Sequence, residues 1–556
     1  MTTDQQEEPG SMATHRLFVA CVCFLIACAT PWPATVAARN DTTDAARVRD
    51  NGAGPGHAAG APAASQPATT QPEKGGEATQ AVVEKAAVTE GQVTIAGEPV
   101  KYRATAARML MKDENGKLKA TVFFVAYDKD RPADAGAAGR PITFVFNGGP
   151  GAAAVWLHLG AAGPWRVDLR ENGEPLPPPY RLVENPCCWL DATDLVFVDP
   201  VGTGFSRPAE GEKAEQFYGV KEDISWVADF IRLYITQYQR WSSPQFLAGE
   251  SYGTTRAAGL SEYLLDRYGI ALNGIVLISS VLDFQTLDAG GVNDLPYTLY
   301  LPSYAAVAWY HKKLATELQD DLGRTLREVE RWAADTYAPA LAKGGALPAV
   351  ERKAIVDRLA RYTALPADLI DRGNLRIPLG VFQKNLLGPE RKVIGRFDGR
   401  IIGYDPDPIA SRPSYDPSLS QYLAIYSSTF NDYVRRVLKY DSTLPYEVLS
   451  NKVRPWKFGE AGQGYLNVAD DLAAAMVKNP HLKVLFASGY FDLATPYYSA
   501  NYTIDHLDIS AELRANITHT FYMGGHMMYH NRPALEKLHA DVAAFVRAAT
   551  ANGTSP

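Results

Sequence analysis

Cysteine is scarce in this chain: there are five in 556 residues, and Cys21, Cys23 and Cys28 all fall inside one N-terminal apolar run. That leaves Cys187 and Cys188. Adjacent Cα atoms lie about 3.8 Å apart, below the range that a disulfide spans, so these two are not each other's partners. A disulfide framework is excluded, and a hydrophobic core must hold the molecule together. Positive charge is not in excess either. The 55 Lys and Arg stand against 62 Asp and Glu, a net charge of -7, which leaves no cationic footprint for a nucleic acid. The N-terminal apolar run, Leu17 to Ala29, has only 13 residues. It is too short to span a bilayer comfortably and has the length of a signal-peptide core.

Residues 1–38 therefore read as a signal peptide, with Met12 as a second possible start because the segment before it is acidic. Val36-Ala37-Ala38 offers small residues for cleavage. Leu25-Ile26-Ala27-Cys28 resembles a bacterial lipobox, in which Cys28 becomes the lipidated first residue and a membrane tether. Both versions imply export, to the medium or to the periplasm and cell envelope; an uncleaved anchor is the third alternative. Residues 39–92 are rich in Ala, Gly and Pro and almost free of large apolar side chains. Such a segment cannot bury enough surface to order itself and reads as a disordered tether.

Folded sequence is expected from about residue 93. Val100 to Thr105 and Ala120 to Tyr127 flank Asn115-Gly116 and read as antiparallel strands. Short, continuously apolar runs follow at Ile142 to Phe146, Leu195 to Val198, Phe246 to Ala248, Ile275 to Ile278, Val484 to Ala487 and Thr520 to Met523. Such runs suit strands buried on both faces of a parallel sheet. Amphipathic stretches between them, such as Lys221 to Arg240 and Thr254 to Tyr268, make the pattern that of an α/β doubly wound sheet. Between about Phe284 and Pro480 this rhythm gives way to helical patterns, as in Ala315 to Tyr337 and Val350 to Tyr362. The expected organisation is a catalytic domain over 93–284 and 481–548, with a largely helical cap inserted over 285–480. An independent second domain is the alternative.

The chemistry concentrates at Gly249-Glu250-Ser251-Tyr252-Gly253, set between an apolar strand and a helical pattern. G-x-S-x-G alone is a weak signal; in that context it marks a nucleophile elbow with Ser251 at its tip. A serine nucleophile needs a base and an orienting acid, and on a parallel sheet both come from carboxyl ends of neighbouring strands. Asp492 follows Val484 to Ala487 and His526 follows Thr520 to Met523, in the order Ser, Asp, His expected of α/β hydrolases. Asn147-Gly148-Gly149-Pro150-Gly151 follows Ile142 to Phe146 and suits an oxyanion loop, working with the Tyr252 amide. It has neither the lysine nor the spacing of a phosphate loop.

Taken together, four motifs resemble the serine carboxypeptidase family over about residues 95 to 548. They are Asn147-Gly148-Gly149-Pro150-Gly151, Asn185-Pro186 leading to Val198-Asp199-Pro200-Val201-Gly202-Thr203-Gly204-Phe205-Ser206, Gly249-Glu250-Ser251-Tyr252-Gly253, and Gly525-His526-Met527. The resemblance implies an α/β-hydrolase fold with a cap. It implies a triad of Ser251, Asp492 and His526, oxyanion amides at Gly149 and Tyr252, and no metal or other cofactor. It further implies that Asn147, Gly148 and Glu250 hold the terminal carboxylate of a peptide substrate. Two departures stand out. Ala152-Ala153-Ala154 replaces the family's Cys-Ser-Ser, and Ala161 stands where the family carries a second glutamate that shares a proton with the one beside the serine. The expected activity is removal of C-terminal residues from peptides through an acyl-enzyme. An esterase or acyltransferase with the same triad, and a catalytically silent binding protein on the same fold, are the alternatives.

Overall fold

A computed structural model describes residues 83–131, 139–459 and 464–551. The expected signal peptide, Cys28 and the tether as far as residue 82 lie outside the described residues. Their neighbour is not a tether: β1 (Val83–Ile95) pairs antiparallel with β2 (Glu98–Lys112) through a turn at Ala96 and Gly97, both at positive φ. Residues 83–92 thus belong to the fold. β1 is an edge strand with mostly exposed or half-buried side chains, so its sequence carries little of the apolar signal by which a strand is read.

β3 (Leu118–Lys129) continues the antiparallel part. The apolar runs then form β4 (Ile142–Phe146), β5 (Asp194–Val198), β6 (Gln245–Glu250), β7 (Gly274–Ile278), β8 (Lys483–Gly489) and β9 (Ile517–Tyr522). Every residue of β4 to β7 is buried, as expected of strands covered on both faces. β9 is mostly half-buried because it closes the sheet and has a neighbour on one side only. The spatial order is β1-β2-β3-β5-β4-β6-β7-β8-β9, with Arg207–Pro208 as a short extra pairing on β3. Pairs from β5 to β9 are all parallel. This is the α/β-hydrolase arrangement, and it sets the carboxyl ends of β4, β6, β7, β8 and β9 along one edge.

Helices cover both faces. α1 (Val220–Gln237) and α2 (Tyr252–Tyr268) bury Ile224, Val227, Ile231, Leu260 and Leu264 on one face. α3 (Leu295–Tyr310), α4 (Leu322–Trp332) and α5 (Ala349–Thr363) build a core of their own around Leu301, Val329 and Leu359. These helices come from the segment expected to form the cap. The two helices that close the inserted segment return to the main body. α6 (Pro417–Arg436) packs Tyr422, Tyr426 and Phe430 into the core of the other sheet face, with α9 (Arg532–Ala551), whereas α7 (Ala469–Lys478) packs Leu472 and Met476 beside α2. α8 (Tyr497–Asp505) bridges, sending Tyr497 into the cap core. Among the described residues no helix is long and apolar enough to cross a membrane.

Candidate active site

β6 ends at Glu250 and α2 begins at Tyr252, so Ser251 alone turns the chain. It does so at φ 59° and ψ −131°, a conformation that a side-chain-bearing residue keeps only when its surroundings dictate it. Those surroundings are hydrogen bonds: Ser251 N donates to Ile278 O at 3.0 Å, and Thr254 N donates to Ser251 O at 2.8 Å. The flanking glycines are a matter of space. A Cβ on Gly249 would stand 2.2 Å from Gly253 O, and one on Gly253 would stand 2.8 Å from Phe146 O.

Asp492, just past β8, is fully buried and uses both oxygens. Oδ1 accepts from Ala494 N at 2.7 Å and Thr495 N at 3.0 Å. Oδ2 accepts from Thr495 Oγ1 at 2.8 Å and from His526 Nδ1 at 2.8 Å. His526, past β9, is anchored through its backbone: its N donates to Phe397 O at 2.5 Å and its O accepts from Ser279 Oγ at 2.7 Å. The Phe397 ring leans on the imidazole with 5.2 Å between centroids. With Nδ1 engaged, Nε2 is left buried with no hydrogen-bond partner. Burial disfavours the imidazolium, but the charge and hydrogen bond of Asp492, helped by Glu250, outweigh it and raise the His526 pKa.

The loop from Asn147 to Gly151 leaves β4 and presses on the elbow at the end of the neighbouring strand β6. A Cβ on Gly148 would lie 2.3 Å from Tyr252 N, and Gly149 sits at φ 100°. Tyr252 N opens α2, where amides have no intrahelical acceptor and are available to an anion. Asp199, at the end of β5, fixes the far side of the loop by accepting from Ala154 N at 2.8 Å. Burial pushes its carboxyl up to about 7, against the pull of the Ala154 and Tyr446 hydrogen bonds.

Glu250 and Asn147 meet between these parts. Asn147 Nδ2 donates to Glu250 Oε1 at 2.9 Å while its Oδ1 accepts from Leu157 N at 3.1 Å. Arg256 secures the loop by donating to Asn147 O at 2.7 Å and to Asp223 Oδ2 at 2.7 Å. Burial raises the Glu250 carboxyl to about 7; His526, Tyr529 and Asn147 pull it down and Asp492 pushes it further up. The buried acid one residue before Ser251 is thus part-protonated near neutrality.

A model of the serine carboxypeptidase family matches residues 112–535 of this sequence. The chain belongs to that family. The pheromone-processing carboxypeptidase KEX1 of Coprinopsis cinerea is 28% identical over 168 residues, 30% of this chain and 25% of the relative. The serine-type carboxypeptidase F of Aspergillus niger is 30% identical over 165 residues, 28% of this chain and 27% of the relative. The chain therefore spans about a quarter of the length of these curated relatives. Among solved structures, the crystal structure of Kex1(delta)p, a prohormone-processing carboxypeptidase from Saccharomyces cerevisiae, aligns with 16% identity and a TM-score of 0.47. That alignment covers 83% of this chain and 91% of the other.

All eight expected site residues of this serine carboxypeptidase family member lie on or beside one edge of the sheet. Other residues of the site escaped sequence reading. Asp199 stands inside one of the four motifs but carried no assigned role, and Thr495 lies three residues past Asp492 without a motif of its own. Phe397 comes from the inserted segment and Tyr529 from a turn after His526, and neither carries a local pattern that announces its place. No group of His, Cys, Asp or Glu suited to a metal ion occurs among the described residues.

Proposed function

We propose that this protein is a serine-type carboxypeptidase that removes C-terminal residues from peptides. Ser251 Oγ attacks the scissile carbonyl, and His526 Nε2 takes its proton and passes it to the leaving amine. Asp492 holds the imidazole with Nδ1–H toward itself, which leaves Nε2 as the acceptor. The Gly149 and Tyr252 amides stabilise the oxyanion, and water releases the acyl group from Ser251. On the leaving side, the free amide hydrogen of Asn147, the Gly148 amide and protonated Glu250 receive the terminal carboxylate.

The observation that carries this reading is the environment of Glu250. A simple esterase has no use for a wholly buried acid beside its nucleophile, whereas a site for an anion gains a donor from it as long as it keeps its proton. A blocked dipeptide with a free C-terminus should be cleaved far better than its C-terminal amide. Because Glu250 titrates at about 7, kcat/KM for the acid should fall as pH rises through about 7, roughly tenfold per pH unit. A simple neutral ester, which needs only neutral His526, should not show that fall. Equal rates on acid and amide across this range, with the ester still turned over, would refute the carboxypeptidase assignment.

A further inference from the structure

Glu250 is held at one oxygen only. Oε1 accepts from Asn147 Nδ2, but Oε2 is buried and has no hydrogen-bond partner. Near it is the phenol of Tyr529, whose Oη is also buried and makes no well-formed hydrogen bond; the two are close enough for the phenol to lower the carboxyl's pKa and the carboxyl to raise the phenol's. Buried polar atoms left bare cost about 1–3 kcal/mol each, and folded proteins keep few of them without a use. Tyr529 cannot turn aside. Its ring lies against Gly160, where a Cβ would come within 2.4 Å of Cε2, and stands edge-on to His530 with 5.2 Å between centroids. The nearby Tyr426 is committed elsewhere, its Oη hydrogen-bonded to His530 Nε2 at 2.8 Å. Next to Gly160 is Ala161, the position at which the resemblance implies an acid, so the group that meets Glu250 on its open side is a phenol.

We propose that Tyr529 is a positioning residue of the carboxylate site, donating its O–H to Glu250 Oε2 when that acid is ionised and so setting the pH at which recognition of the substrate's carboxylate is lost. The proposal rests on the carboxypeptidase reading above. Protonated Glu250 turns its O–H toward the substrate carboxylate. When the proton leaves to solvent, Oε2 swings its acceptor capacity to Tyr529, and the negative charge repels the substrate. The other groups that face Glu250 are Asn147 from the oxyanion loop, His526 and Asp492 from the base and acid loops, and Tyr426 from α6. Protonated His526 favours the carboxylate form and Asp492 opposes it. Of all these, Tyr529 alone brings a buried hydroxyl without a hydrogen-bond partner.

The test is the pH dependence of KM and kcat for a blocked dipeptide acid, in the wild type and in Tyr529→Phe, with active sites counted by organophosphonate titration. In the wild type KM should climb as pH passes about 7. In Tyr529→Phe, which no longer stabilises the ionised acid, that climb should begin about one pH unit higher, giving up to about a tenfold lower KM near pH 8. Tyr426→Phe breaks the bond to His530 but should leave the KM break in place. An unmoved break in fully titrating Tyr529→Phe overturns the proposal, and so does an equal shift in Tyr426→Phe. Should Tyr529→Phe not fold, enzyme grown with 3-fluorotyrosine replaces it: its phenols are stronger donors, so the break should move down, and no movement overturns the proposal. Failure of the wild type to prefer acid over amide is a different result, which removes the carboxypeptidase reading and this inference with it.

Discussion

Asp492 shows why single residues at this site tolerate little change. Its two oxygens accept four hydrogen bonds, from two backbone amides, the Thr495 hydroxyl and His526 Nδ1, which is the whole capacity of a carboxylate. Asn at this position keeps the shape but presents an amide N–H to one of these donors, favouring the imidazole tautomer with its proton on Nε2. That tautomer cannot accept the Ser251 proton. Asp492→Asn should therefore lower kcat by about 10³ to 10⁴-fold with little change in KM. Steady-state kinetics on titrated enzyme checks this, and a loss below about tenfold would show that Asp492 does not orient the base. The residue types and their order were legible because each chemical role demands one kind of side chain at a strand end. Phe397 and Tyr529 were not, since an aromatic ring in an insertion or a turn is chemically silent until the fold sets it against an imidazole or a carboxyl.

Among elements, the contact between the β4 loop and the N-terminus of α2 decides whether an oxyanion hole exists. Gly148 lets that contact close: a Cβ there would stand 2.3 Å from Tyr252 N and 2.6 Å from Gly253 N. Both obstacles are backbone atoms of a helix start and cannot rotate away. Gly148→Ala should push the loop off the elbow, lowering kcat by about 10²-fold or more and stability by about 1–3 kcal/mol. Rates together with a thermal unfolding curve test this, and near-wild-type kcat would mean that the loop does not supply an oxyanion donor. Strands of the parallel part were readable from unbroken apolar runs, because burial on both faces leaves no polar positions. β1 was not, since an edge strand exposes half its side chains and borrows its order from β2. The ends of the insertion were likewise hidden: the helical periodicity of α6 and α7 says that one face is buried but not against which neighbour.

For the molecule as a whole, buried histidines and buried acids pull the response to acid in opposite directions. Burial lowers His158 and His530 to about 3 and raises Glu250 and Asp199 to about 7. Unfolded, the histidines bind protons near 6.5 and the two acids only near 4, so the two pairs act in opposite directions. As pH falls below about 6.5 each histidine favours the unfolded chain by about 1.4 kcal/mol per pH unit, whereas each acid favours the folded chain by a similar amount until about pH 4. For these four groups the contributions cancel between about pH 6.5 and 4.5, and from about 4 down to about 3 only the histidine cost keeps growing. In Asp199→Asn, which removes one proton-binding acid, the urea midpoint relative to wild type should decline steadily as pH falls from about 7 to 4; a constant difference would contradict this contribution.

By itself the sequence determined the sheet and the set of residues at its edge from which the reaction type is proposed. A serine between glycines, an acid and a histidine at strand ends and continuous apolar runs are local patterns, each imposed by chemistry or burial at its own position. Tertiary structure decided what surrounds the reacting groups: the phenol opposite Glu250, the ring on His526, the return of α6 and α7 to the main body, and the buried histidines that oppose buried acids. Those are encounters between residues far apart in the chain. Their energy depends on burial and distance, and neither exists until the chain has folded.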